Sequence, residues 1–420
     1  MKKLHIFLVI AATFFLSFFV TDAFNSPVQA KSTKEIVFWN PFTGPDGTNM
    51  QKLVNQYNKT NPEYKVKNVS LQETEMYSKI PTIVNSRKGI PDLQIVHVER
   101  IKDYVHNGLL DSYNPYLSKF PKIKGGNYVA EAWKDGYYQD KRYGIPLDIH
   151  TTFMYYNKDL LKKYSPHALD DNIVTFKEIE EAGLKSKKDG VVSLGLTWWK
   201  PNFLSLYGQL GGKLTKNGKD PYFDNKTSKK AIKIYKDLHD EGVTSQDGQD
   251  PMQLFLTNKE IFHPEGIWMN NQIKEGNINY GVTNAPQLSS DPKKMVNWSS
   301  SHQFVLLKQP KRDKAKTVAT LKFINWVRTH SVEWAKAGQN PASLAITKNK
   351  QYNKMQQSFL LKSKTEQNSL RIFDYRYNGY LADYLDRYAY DSIFGKTTTK
   401  KYLQKMQKTA QDQVNEQMDD

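Results

Sequence analysis

Residues 143–160 constrain this chain more than any other stretch. They read Tyr143-Gly144-Ile145-Pro146-Leu147-Asp148-Ile149-His150 and run on into Phe153-Met154-Tyr155-Tyr156-Asn157-Lys158-Asp159-Leu160. The pattern predicts one strand that leaves one domain and enters the next. Gly144 lets the backbone turn freely, while Pro146 fixes φ and removes a donor. Beyond Pro146 the run is apolar and aromatic, and Asn157-Lys158-Asp159 closes it as a helix start. Asp148 and His150 differ by two, so they share a strand face. At such a crossing they would stand in the wall of an interdomain cleft. With 420 residues the chain suits two domains better than one small core.

The flanking sequence supplies the domains. Lys34 to Asn40 reads as a buried strand, and Met50, Leu53, Val54 and Tyr57 recur at helical spacing. Asn61-Pro62 stops that helix, residues 64–69 alternate as a second strand, residues 75–88 form a helix, and residues 91–96 a third strand. Strand, helix, strand, helix, strand implies a parallel sheet with right-handed crossovers. Ligands bind beyond the carboxyl ends of such strands, here Trp39-Asn40, Gln72-Glu73 and residues 97–99. Further on, residues 175–188 are helical, with Thr175 and Glu178 in capping-box positions. Residues 194–197 form a strand with Trp198-Trp199 at its end. Residues 203–210 are helical, residues 227–241 form an amphipathic helix with Gly242 as C-cap, and residues 278–283 and 303–307 are strands. Residues 313–336 are helical, Gly338-Gln339-Asn340-Pro341 breaks the chain, and the tail from residue 379 is helical and polar.

The first 30 residues read as a cleaved targeting segment: Lys2 and Lys3, an apolar run over residues 6–20, then Val28-Gln29-Ala30 as a small-x-small cleavage site. The mature protein is therefore expected to be exported. There is no Cys, which excludes disulfides, zinc–thiolate sites, Cys nucleophiles and a lipid-modified Cys anchor. The net charge of +17 is spread along the chain rather than clustered. It points to diffuse attraction to an anionic cell envelope, a peripheral association, rather than to nucleic acid.

Signatures of catalysis are missing. The sequence has no G-x-S-x-G elbow, no P-loop, no G-x-G-x-x-G and no H-E-x-x-H or other metal spacing, and its nine His are scattered. No catalytic residue, cofactor or metal ligand is assigned. The tandem pair Tyr155-Tyr156 could suggest phenolate ligands for iron, but neighbours in a strand face opposite ways, so at most one reaches a cleft. Tryptophan placement is more informative. Trp39, Trp198, Trp199, Trp268 and Trp298 fall at predicted strand ends or in loops, with Asn40, Asp148, His150, Asn270 and His302 as polar companions. Sugar rings stack their C–H faces on aromatic rings while polar side chains take the hydroxyls. The set points to a carbohydrate.

The order of motifs resembles the extracellular solute-binding proteins of ABC transporters, specifically the sugar-binding group that includes maltose-binding protein. Val37-Phe38-Trp39 is similar to the family's first strand. Leu53-Val54-Asn55-Gln56-Tyr57-Asn58 with Asn61-Pro62 is similar to its first helix and turn. Gly89-Ile90-Pro91-Asp92-Leu93 and Gly108-Leu109-Leu110-Asp111 follow. The most specific likeness runs from Arg142-Tyr143-Gly144-Ile145-Pro146 through Tyr155-Tyr156-Asn157-Lys158-Asp159-Leu160-Leu161. Gly211-Gly212, Gly266-Ile267-Trp268 and Gly338-Gln339-Asn340-Pro341-Ala342 complete the order.

The resemblance implies an α/β, two-lobed periplasmic-binding-protein-like fold (class II), with the ligand cleft between lobes joined by crossing hinge strands. Lobe 1 would comprise residues 31–147 and 300–343, and lobe 2 residues 148–299 and 344–420. It implies aromatic contacts from Trp39, Trp268 and either Trp198 or Trp199, and polar contacts from Asn40, Glu73, Asp148 and His302. Arg371 and Tyr377 would lie in the last cleft-lining loop. The implied protein is a monomer that binds an oligosaccharide outside the cell membrane and hands it to permease subunits. Iron, a polyamine or a phosphorylated polyol on the same fold, or a secreted carbohydrate-active enzyme, are the rival expectations. Gram-positive members usually keep a lipidated Cys, and this chain has none.

Overall fold

The computed structural model describes residues 34–373, 375 and 378–416. The expected targeting segment and Tyr377 lie outside the described residues. Fourteen strands are named among them: β1 Lys34–Asn40, β2 Tyr64–Ser70, β3 Leu93–His97, β4 Leu110–Asp111, β5 Tyr137–Tyr138, β6 Lys141–Arg142, β7 Gly144–Pro146, β8 His150–Asn157, β9 Val192–Leu194, β10 Glu260–Gly266, β11 Tyr280–Thr283, β12 Asn297–Ser300, β13 His302–Leu307 and β14 Leu370–Ile372. They form two larger sheets and the β5–β6 hairpin.

The first sheet has the order β2-β1-β3-β13-β4, with β7 also on β13. β1 pairs in parallel with β2 and β3, as the alternation of strands and helices predicts. β13 runs antiparallel to β3, β4 and β7. Both faces are covered. Phe304 and Leu306 join the core that holds Phe38, Leu53 and Phe323, while Val305 and Leu307 join one built on Met76, Ile80 and Tyr104. Helix Gly44–Asn58 starts with Pro45 in its first turn, where a missing N–H costs nothing. Helix Glu73–Ser86 starts with an acid, which suits the positive end of the helix dipole.

The second sheet has the order β14-β12-β8-β10-β9, with β11 on β8. β8 and β10 are buried almost throughout, so their apolar runs read as central strands. Thr175 and Glu178 form the expected capping box on helix Phe176–Ser186. Asn157 caps helix Lys158–Tyr164, accepting from Asp159 N and Leu160 N. Helix Lys226–Asp240 ends one residue earlier than expected, with Glu241 as cap and Gly242 following at φ +70°.

The stretch expected to be one strand is two. β7 belongs to the first sheet and β8 to the second, and Leu147–Asp148–Ile149 carries the chain between them. The break follows from a change of partners: Gln303 faces Pro146 on one side, Ser300 faces His150 on the other. Gly144 does not serve as a free turn. A Cβ there would stand 2.6 Å from Ile101 Cδ1 and 2.7 Å from Gln303 Oε1, so the residue permits a close approach. Ser301 makes the second crossing, from β12 to β13. The segment at residues 340–342 lies alongside: Leu147 N donates to His302 O (2.8 Å), Ile149 N to Asn340 O (2.8 Å) and Ala342 N to Leu147 O (3.0 Å). Three passages of chain therefore run side by side between the sheets. Among the described residues, no helix is long and apolar enough to cross a membrane.

Candidate functional site

A cleft of about 520 Å³ opens over these crossings, inside the 300–1,000 Å³ range usual for ligand sites. Its floor comes from the strand ends. His97 closes β3, and Glu99 and Arg100 follow it; His150 opens β8 and His302 opens β13. Phe42, Asp46 and Glu73 line it from the elements after β1 and β2. Trp198, Lys200, Trp268, Trp298 and Asp386 line it from the elements of the second sheet.

The indoles are held at fixed angles. Trp198 and Trp268 meet edge to face at 6.0 Å and 80°, an arrangement favoured by the ring quadrupoles. Trp268 and Trp298 both meet the His150 ring, at 5.7 and 6.2 Å. The Trp198 Nε1–H donates to Glu265 Oε1, which also accepts from Gly266 N at 2.7 Å. Glu265 is 6% exposed, and burial raises its pKa. One carboxylate thus ties the ring on the loop after β9 to the turn that presents Trp268. Gly266 has to lack a side chain, because a Cβ there would lie 2.1–2.5 Å from the Trp268 ring.

Asp148 lies under the floor and is wholly buried. Its Oδ1 accepts from His302 N (2.9 Å) and faces His150 Nδ1 at 3.2 Å; its Oδ2 accepts from Trp334 Nε1 (2.9 Å) and faces His302 Nδ1 at 2.7 Å. Burial acts to raise its pKa, but His302 and His150 outweigh that and hold it well below the usual carboxylate range. His302 is pulled down by burial and raised overall by the Asp148 carboxylate. His150 is lowered by burial and by His302. His97 is held well below the ordinary imidazole value by burial, then by His302 and His150. Burial pushes Asp46 up to about 6, although Gln339 Nε2 donates to its Oδ2 at 2.9 Å.

The residues singled out in the sequence divide accordingly. Glu73, His150, Trp198, Trp268, Trp298 and His302 line the cleft. Asp148 does not, and its oxygens are committed to four protein donors, so it serves the crossing rather than a ligand hydroxyl. Asn40 is wholly buried, donating to Asn68 Oδ1 (2.7 Å) and accepting from Phe42 N (3.2 Å). Trp39 falls between Phe38 and Asn40 on β1, so alternation turns it to the other face; Phe42 supplies the ring from this segment instead. Trp199 is the first residue of helix Trp199–Gln209 and is 2% exposed, its Nε1 donating to Tyr402 OH at 2.9 Å. Asn270 is outside the lining and accepts from Tyr280 OH, while Met269 and Gln272 line the cleft. Arg371 is exposed on β14, its guanidinium 6.0 Å from the Phe373 ring, and does not line the cleft. Neither Tyr155 nor Tyr156 lines it; Tyr155 OH donates to Gly266 O at 3.2 Å. His97 and Glu99 were legible as the carboxyl end of β3. Phe42, Asp46, Arg100, Lys200, Gln339 and Asp386 were not, since nothing in their local sequence distinguishes them from ordinary loop and helix residues.

Residues 52–353 match the sequence model of a family described as bacterial extracellular solute-binding protein. The chain is 29% identical over 246 residues to the arabinooligosaccharide-binding protein of Bacillus subtilis (strain 168), covering 57% of this chain and 55% of that protein. It is 28% identical over 244 residues to the maltodextrin-binding protein MdxE of the same organism, covering 52% and 54%. The chain thus spans about half the length of these relatives. Among solved structures, the sugar-binding protein MalE from Xanthomonas citri superposes with a TM-score of 0.79 at 15% identity, over 92% of this chain and 98% of that one. The GacH receptor of Streptomyces glaucescens superposes with a TM-score of 0.74 at 19% identity, over 91% and 99%. The two-lobed binding-protein fold is shared with both.

Proposed function

Because the chain belongs to the bacterial extracellular solute-binding protein family, we propose that it is the exported substrate-binding component of an ABC importer. It takes an oligosaccharide of maltodextrin or other glucan type into the cleft and delivers it to permease subunits in the membrane. The observation that carries this reading is the wall of three indoles, Trp198, Trp268 and Trp298, set against Glu73, Glu99, Gln272 and Gln339. Flat rings flanked by hydroxyl-binding side chains suit a pyranose, with one apolar face and a polar rim. The four carboxylates Asp46, Glu73, Glu99 and Asp386 stand among imidazoles, Lys200 and Arg100, a mixed lining that suits a neutral polyol better than a polycation.

The lobes divide along the crossings, at residues 147/148, at Ser301 rather than at the expected 299/300, and at 343/344. Contacts from both lobes form together only when the cleft closes, so sugar shifts the population toward the closed form that the permease accepts. The protein acts as a monomer on the outer face of the membrane and carries out no chemical step on the sugar.

Calorimetric titration with maltodextrins, arabino-oligosaccharides, spermidine and glycerol phosphate tests the reading. Saturable binding of at least one oligosaccharide is expected, with the sugar recovered intact by chromatography. Binding of spermidine or glycerol phosphate with no response to any sugar would overturn it, as would shortened sugar products.

A further inference from the structure

The three imidazoles on the cleft floor come from separate parts of the chain: the end of β3, the start of β8 and the start of β13. Their ring centroids lie 4.5 Å apart for His150 and His302, 4.6 Å for His97 and His302, and 5.8 Å for His97 and His150. One nitrogen from each ring lies within 4.8 Å of the others, the convergence of potential metal ligands found among the described residues. Each ring has its Nδ1 engaged. The Nδ1 atoms of His150 and His302 face the two oxygens of Asp148, and that of His97 faces Tyr77 OH at 2.6 Å. Tyr77 OH also accepts the His97 backbone N–H at 3.0 Å and keeps room for a second donor. Nε2 is therefore the nitrogen each ring has left to offer. At His150 and His302 the carboxylate on Nδ1–H fixes the tautomer that presents an Nε2 lone pair, the same outer-shell arrangement that orients histidines on metals; at His97 the Tyr77 hydroxyl takes the accepting role when a metal binds.

We propose that His97, His150 and His302 form a site for a divalent transition-metal ion of the zinc class, bound through their three Nε2 atoms. Three imidazoles with a fourth position left for a small oxygen ligand is a donor set that zinc accepts. Neutral nitrogen donors select zinc, copper or nickel over magnesium and calcium, which take oxygen. Tetrahedral zinc with Zn–N of about 2.0–2.1 Å separates its nitrogens by about 3.3 Å. The ring centroids, 4.5–5.8 Å apart, put the imidazoles close enough for ring rotations to bring one nitrogen from each to that spacing. The fourth position opens into the cleft, beside Trp268 and Trp298, which flank His150. The sequence held no local sign of this because each histidine stands alone on its element.

The test titrates the untagged protein with zinc chloride alone at about pH 7.5. One saturable equivalent by calorimetry is expected, and cobalt(II) should give the visible absorption of a four-coordinate centre. His97→Gln and His302→Gln should each weaken zinc binding roughly tenfold or more, with circular dichroism unchanged, while His106→Gln, at an exposed helix end, should not. His97→Gln leaves the Asp148 bonds intact and decides the matter if His302→Gln does not fold. No saturable zinc binding, or equal binding by wild type and His97→Gln, overturns the proposal. Since no sugar is present in the titration, that failure would leave the oligosaccharide reading standing.

Discussion

Replacing Asp148 with Asn tests whether this side chain belongs to the crossing or to the ligand. The carboxylate accepts two hydrogen bonds on each oxygen. An Asn must put its NH2 where one oxygen stood, so two of the four donors meet a donor. Tautomer changes repair only part of this. With NH2 at the Oδ1 position, His150 can turn its Nδ1 into an acceptor, but the His302 backbone N–H cannot. With NH2 at the Oδ2 position, His302 Nδ1 can adapt, but the Trp334 indole can only donate. One buried donor is orphaned either way, at about 1–3 kcal/mol, and bonds to a charged acceptor worth about 1.5–3 kcal/mol each become neutral ones. The expected loss is about 3–5 kcal/mol, read as a lowered urea midpoint at constant slope. Trp334→Phe removes the stranded indole donor, so the double mutant should fall short of the summed losses by about 1 kcal/mol or more. The carboxyl's folded pKa is depressed. Its stabilisation is therefore present above the ordinary carboxylate value of about 3.9 and fades as pH falls through the folded value, and the cost of Asp148→Asn should shrink in acid. A urea midpoint for Asp148→Asn within error of wild type at neutral pH would refute the reasoning. So would a large loss of sugar affinity with stability unchanged.

Other outcomes follow from the same geometry. Trp268→Ala should weaken oligosaccharide binding by about 1–3 kcal/mol, roughly tenfold or more, with folding intact; unchanged calorimetric affinity would remove Trp268 from the site. Gly266→Ala should reproduce much of that loss, because the new Cβ displaces the Trp268 ring, and a titration of both variants compares them directly. Trp199→Ala, in the core, should cost about 3–5 kcal/mol in denaturant unfolding. Asp46→Asn should stabilise the protein at neutral pH. A folded pKa of about 6 means that folding favours the protonated form, so stability falls as pH rises from about 4 through 6. The gain is about 1–2 kcal/mol after allowance for partial exposure; it should vanish below about pH 4 in a thermal-shift series.

The parts of this fold that were legible in the sequence are those fixed by local chemistry. Thr175 and Glu178 announce a helix start because the capping box closes within four residues. The apolar runs of β1, β3 and β8 carry their own periodicity. What escaped reading was decided by strand phase and by partners far along the chain. Trp39 looked like a cleft ring, yet phase along β1 turns it to the other face. In Trp198-Trp199 the helix begins between the two residues, which sends one to the cleft and the other to Tyr402. Asp148 was read as a hydroxyl acceptor because its four donors come from residues 150, 302 and 334, which local sequence cannot place. The His97–His150–His302 cluster depends on three strands meeting end to end, so spacing could not reveal it.

The division of labour between Glu265 and Asp148 has an evolutionary consequence. The stacking rings hang on the second sheet through Glu265 and Gly266, while the crossing is tied by Asp148 and the backbone bonds at Leu147, Ile149 and Ala342. If the rings bind the solute as proposed, mutational drift in them would retune which solute is accepted and leave the stability of the crossing untouched. Changes at Asp148 are instead filtered by folding before ligand choice is ever exposed to selection.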